Sequence, residues 1–137
     1  MNTKNITVTT TDYQRIVEIL DMYRGGKLAD ACEALETELE RADIVESTKV
    51  PPTVVTMNSK VEYVDEESGR ANEITLVYPQ HADMSQRKVS VLAPVGSALL
   101  GLSVDQSLPW PLPDGRTTRV RVRAISYQPE AMGDFHL

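Results

Sequence analysis

Two adjacent prolines, Pro51 and Pro52, divide this sequence into parts that obey different periodicities. Proline fixes φ, lacks an N–H and restrains the residue before it, so no helix runs through Val50-Pro51-Pro52. Before the pair, apolar residues recur three and four apart: Tyr13, Ile16, Val17, Leu20 and Tyr23, then Leu28, Ala31, Cys32, Leu35, Leu39 and Ala42. Each set predicts a helix with one apolar stripe. Between them lies Arg24-Gly25-Gly26-Lys27, whose two glycines predict a tight reversal and an antiparallel helical hairpin, a short coiled coil. Thr10 or Thr11 is the expected N-cap of the first helix. After the prolines, β-branched runs at 54–56, 61–64, 74–78, 89–92, 107–112 and 117–127 predict an antiparallel sheet. Glu66-Glu67-Ser68-Gly69 and Pro113-Asp114-Gly115 carry hairpin-turn chemistry. One short helix interrupts the strands, with Pro94 in its first turn, Ala98, Leu99 and Leu100 in its body and Gly101 beyond its end. The expected fold class is α+β, a hairpin over residues 1–49 followed by a sheet domain over 50–137.

Composition removes several classes of function. At 137 residues there is room for one domain or one domain with a small appendage, which excludes a large multidomain enzyme. The net charge of −6 is a poor match for a phosphate backbone, so no direct nucleic-acid binding is expected. The charge is uneven. Residues 1–46 hold five basic and ten acidic side chains, residues 47–137 nine and ten. No stretch approaches the length of an apolar membrane span, the first residues lack the apolar core of a signal peptide, and a single cysteine forms no internal disulfide. A cytoplasmic protein without membrane contact is expected.

Candidate chemistry is sparse. Asp30, Glu33, Glu36, Glu38, Glu40 and Asp43 follow one another along the second helix, but they fall on several faces of a hairpin that cannot bury them, as a solvated surface does. His81 and His136 show no metal-ligand spacing, and Cys32 belongs to an apolar stripe, so no metal site and no catalytic residues are expected. No phosphate-cradling glycine motif occurs, hence no nucleotide cofactor. Arg119, Arg121 and Arg123 alternate with Val120, Val122 and Ala124, which places the arginines on one face of a strand. That face is either solvated, its charges discouraging edge pairing, or a surface for an acidic protein partner.

The second part resembles a known family. Thr75-Leu76-Val77-Tyr78-Pro79, Lys88-Val89-Ser90-Val91 and the run from Ala93 through Pro94, Val95 and Gly96 to Gly101 are similar to the C-terminal domain of the bacterial transcript cleavage factors, Gre. Val54-Val55-Thr56-Met57-Asn58-Ser59, the 93–102 run, and Tyr127-Gln128-Pro129-Glu130-Ala131 with Gly133-Asp134 resemble the Gre-related Rnk family, regulators of nucleoside diphosphate kinase. The resemblance implies an N-terminal coiled coil, a C-terminal domain of FK506-binding-protein-like fold, and RNA polymerase, near its secondary channel, as partner; a monomer is expected. It places the polymerase contact at Leu92, Ala93, Pro94, Val95 and Gly96; the alternating arginine face adds Arg119 and Arg121 as further candidates. Where the cleavage factors favour an acidic residue and a serine before the proline, this chain has Leu92 and Ala93, which implies a more apolar grip. In those factors a pair of acids at the coiled-coil tip holds a metal ion. Here Asp21 and Asp30 flank a basic bend. The implied fold is shared with peptidyl-prolyl isomerases, but Trp110 and Phe135 are the only Trp and Phe from which to build their aromatic cage. The readings left are a polymerase-binding regulator without an active site and, as alternatives, a non-catalytic adaptor for another protein or an isomerase-like domain.

Overall fold

The structure, a computed structural model, describes residues 6–111 and 115–134, leaving aside the side chains of Pro94, Leu108, Trp110 and Pro111. Pro113 and Asp114 of the second expected turn, together with Leu112, Phe135 and His136, lie outside the described residues. The hairpin is built from α1 (Thr10–Tyr23) and α2 (Ala29–Glu40), framed by two short strands, β1 (Thr7–Thr9) and β2 (Asp43–Val45). These strands pair in parallel, Val8 opposite Ile44, and so tie the two open ends of the hairpin together. Neither was expected, because three residues are too few to show an alternating pattern. The N-cap of α1 is Thr9, not Thr10 or Thr11: its Oγ1 accepts the Asp12 N–H at 3.1 Å.

The buried face of α1 carries Asp12, Ile16, Ile19 and Leu20. Tyr13 is 37% exposed and Val17 only half-buried, so the stripe is rotated from the one expected. Asp12 and Ile19 take the buried positions that Tyr13 and Val17 do not. On α2, Cys32, Leu35 and Leu39 are buried as expected, whereas Leu28 lies before the helix begins and is exposed. The reversal contains both glycines, yet neither takes a positive φ, and a Cβ on Gly25 would meet nothing. The bend therefore does not need them for conformation.

Five further strands form one sheet: β3 (Lys60–Asp65), β4 (Ala71–Val77), β5 (Lys88–Ser90), β6 (Ser107–Pro111) and β7 (Thr117–Tyr127), in the order β5-β4-β3-β7-β6. The β3–β4 hairpin closes at the expected turn, where Gly69 has φ of +74° and donates its N–H to the Asp65 carbonyl at 2.8 Å. The sheet is mixed rather than antiparallel. β5 lies parallel to β4, because the ten residues between them form two 3-10 turns, Pro79–His81 and Met84–Gln86, that carry the chain back to the same end. The expected strand at 54–56 is reduced to a single bridge between Val54 and Ser103. Edge strand β6 contains Pro109 and Pro111, which blunt it against further pairing.

The short helix α3 (Pro94–Leu99) follows β5 and packs against both β5 and α2. One apolar cluster runs through both parts of the chain, from Ile6, Val8, Ile16, Leu20, Leu35 and Leu39 to Met57, Leu76, Leu99, Leu100 and Leu102. Gly101 marks the crossing point. Its φ is +80°, a Cβ there would fall 2.5 Å from the Ile6 Cβ, and its carbonyl accepts the Thr7 N–H at 3.2 Å.

Candidate partner-binding surface

The segment 92–96 is shaped by its own backbone. Ser90 organises it: its Oγ accepts the Leu92 N–H at 3.0 Å and its carbonyl accepts the Ala93 N–H at 3.0 Å. Ala93, extended at φ −69° and ψ 150°, then caps α3, and Pro94 occupies the first turn, where a missing N–H costs nothing. The Leu92 side chain is buried, only 3% exposed, and Gly96 is held so close to β5 that a Cβ would fall 2.1 Å from the Ser90 carbonyl oxygen. Those two residues hold the segment to the sheet. Ala93 and Val95 pack on the core while remaining partly open to solvent, so they are the side chains described there that a partner could reach.

Arg119, Arg121 and Arg123 share one face of β7, while Val120 and Val122 are buried on the other. Their charges are largely engaged within the chain. Arg121 pairs with Asp105 at 3.2 Å, Arg123 with Glu62 at 3.3 Å, and Arg119 donates to the Ser107 hydroxyl at 3.1 Å. Three strand spacings, about 14 Å, separate β5 from β7, so the structure does not bring the arginines and the 92–96 segment into one cluster.

The hairpin bend is less basic than its sequence. Arg24 makes a forked pair with Glu36, at 3.0 and 3.2 Å, and reaches Asp21 at 3.5 Å. Beside that guanidinium the Glu36 carboxyl is held below the usual carboxylate range. On α2, Asp30, Glu33 and Glu40 are exposed and Glu36 and Glu38 half-exposed, a solvated surface. Among the described residues no three His, Cys, Asp or Glu side chains converge as a metal site would need. Cys32 is buried, and that burial pushes its thiol pKa up.

Residues 50–127 match the family model "Transcription elongation factor, GreA/GreB, C-term", and residues 4–45 match "Rnk N-terminus". The chain is 42% identical to the regulator of nucleoside diphosphate kinase of Escherichia coli K12, over the full length of both. The chain belongs to the Rnk family of Gre-related regulators. Among solved structures, a GreA/GreB elongation factor from Nitrosomonas europaea is 41% identical and superposes with a TM-score of 0.73, covering 91% of this chain and all of that one. Elongation factor GreA of Thermodesulfovibrio yellowstonii is 29% identical over 70% of this chain and 60% of its own. Relatives in the Rnk and Gre groups are thus named as regulators and elongation factors. Among the described residues no helix is long and apolar enough to cross a membrane.

One residue of this Rnk-family chain escapes sequence reasoning altogether. Asp12 is 1% exposed, at the seam between α1 and the sheet domain. Its Oδ2 accepts the Met57 N–H at 3.0 Å and its Oδ1 accepts the Tyr78 hydroxyl at 3.3 Å. Burial raises its pKa to about 6, opposed by the Met57 hydrogen bond and reinforced by the nearby Glu130 carboxylate. Glu130 itself accepts the Thr56 hydroxyl at 2.7 Å, and Thr56 is bonded in turn to Ser59. The only sequence signal is Thr9-x-x-Asp12, the spacing of a capping box, which fixes the helix start but not where the carboxylate points.

Proposed function

We propose that this protein binds RNA polymerase near the secondary channel as a monomer, through Ala93, Pro94 and Val95 on the frame set by Leu92 and Gly96, with Arg119 and Arg121 as an outlying contact. It competes there with Gre-type factors without stimulating transcript cleavage, acts by occupancy in the cytoplasm, and in this way affects nucleoside diphosphate kinase levels. The observation that carries the reading is the hairpin. Its α1 has 14 residues and so spans about 21 Å, a short arm for delivering chemistry into a buried active centre. Of the acids near its tip, Asp21 and Glu36 are already held by Arg24, which a metal ion would have to displace, and Asp30, in the first turn of α2, stands exposed and does not converge with two other ligands among the described residues.

The test is a stalled elongation complex with labelled RNA, given this protein alone and then together with a cleavage factor. Intact RNA alone, and slowed cleavage in the mixture, are expected. RNA shortened by this protein alone would sink the occupancy reading, and undiminished cleavage at saturating protein would show that no site is shared. Within the docking segment, Val95→Asp should weaken polymerase binding about tenfold, near 1.4 kcal/mol, because it puts a charge on a partly exposed apolar contact. Unchanged binding by the folded variant would remove Val95 from the interface.

A further inference from the structure

A cleft of about 290 Å³ lies where α1 passes the 3-10 turn Pro79–His81. Its lining includes Arg15, Glu18, Ile19 and Met22 from α1, with Tyr78 and His81 opposite. Ile19 is buried at 6% and makes an apolar floor, whereas Met22 stands at the rim with 77% of its surface exposed. An exposed methionine beside a buried isoleucine offers a flexible apolar contact to something that is not part of this chain.

The polar groups say what that partner carries. Arg24 and Arg41, the other arginines of the hairpin, pair with Glu36 and Glu38 at 3.0 Å. Arg15 makes no salt bridge with a described carboxylate; it sits beside the Tyr78 hydroxyl and within electrostatic reach of the buried Asp12. Arg15 thus lines the cleft with its guanidinium hydrogen-bonded to Tyr78 and further donors left over, and a guanidinium fork matches a carboxylate. Glu18, exposed on the same rim, is the opposing charge. The cleft is linked to the segment 92–96 only through β5. Pro79–His81 packs against β5, and that segment leaves the end of β5.

We propose that this cleft is a second contact for the polymerase, taking an apolar side chain between Met22 and Ile19 and an acidic side chain of the same segment on Arg15. This rests on the polymerase-binding reading above and extends the interface from the sheet domain onto the hairpin.

The experiment is a binding titration of full-length protein with core RNA polymerase at low and high salt, for wild type, Met22→Ser, Arg15→Gln and Glu18→Gln. Met22→Ser, at an exposed position, should keep the wild-type melting temperature and bind about fivefold more weakly. Arg15→Gln should bind about tenfold more weakly at low salt and lose part of the salt dependence, because an exposed ion pair is screened. Glu18→Gln should bind more tightly, by removing a charge that repels an acidic partner, a gain that no loss of folding produces. Wild-type affinity in Met22→Ser and Glu18→Gln, while wild type itself binds, would overturn the cleft and leave the segment 92–96 standing. Absence of binding by wild type would overturn both.

Discussion

At the scale of single residues, Asp12 decides more than its place in the sequence suggests. It lies at the third position of α1, behind the Thr9 cap, where the helix N-terminus favours a carboxylate, but it is turned inward to Met57 and Tyr78. A periodicity reading counts apolar residues, so it puts Tyr13 and Val17 on the inner face and passes over Asp12. Because the folded carboxyl titrates at about 6 and an unfolded one near 3.8, the native state binds the extra proton between those values. Stability contributed by this group is therefore full at the acid end of that window and falls as pH rises through 6, by about 3 kcal/mol in all. Asp12→Asn keeps an acceptor for the Met57 N–H and presents its amide to the Tyr78 oxygen, so it should hold the contacts without the charge. Unfolding free energies measured from pH 4 to 7 should show wild type losing ground to Asp12→Asn across that range. Parallel profiles would show that Asp12 does not titrate there.

At the scale of elements, the long periodic pieces were legible in the sequence and the short joining pieces were not. Strand β7 runs over the residues its alternation marks, and α3 begins at Pro94 because proline suits a first helical turn. What escaped was whatever depends on contacts distant in sequence: the β1–β2 pair, the parallel placement of β5, and which glycines matter. Gly25 and Gly26 look indispensable in a bend and are not. Gly101 reads as a helix terminator, but its further role is to let β1 cross within contact of its backbone, which nothing local in the sequence announces. The same holds in the segment 92–96, where Leu92 and Gly96 are packed inward and Ala93 and Val95 stay partly open to solvent. Gly101→Ala combines a positive φ with a steric overlap against Ile6, and should cost about 3 kcal/mol. For a chain of this size that is a fall of about 10 °C in melting temperature. A comparable Gly25→Ala change should leave melting within 1 or 2 °C, roughly the scale of an exposed substitution. Equal effects at both positions would refute the crossing-point argument.

For the whole molecule, the break at Pro51-Pro52 separates two kinds of secondary structure without separating two cores. The linker after the prolines is pinned from the C-terminal side, where Gln128 donates its amide to the Pro51 and Val54 carbonyls at 2.8 and 2.7 Å. From the N-terminal side, Asp12 accepts the Met57 N–H and Thr7 donates to Gly101. Leu99, Leu100 and Leu102 belong to the apolar cluster that the hairpin completes. Exposing a fully buried leucine costs about 2 kcal/mol, so uncovering even three of them approaches the 5–15 kcal/mol by which an ordinary domain is stable. It follows that the hairpin is part of the sheet domain's fold. Full-length protein should unfold in one cooperative transition, with helix signal and Tyr fluorescence changing together. A fragment of residues 50–137 should lack a cooperative melt near the full-length temperature and should bind an apolar dye, because the leucines of α3 and its following turn lose their cover. A fragment that melts cooperatively at the full-length temperature would show instead that the sheet domain closes its own core, and that the hairpin is attached to it rather than built into it.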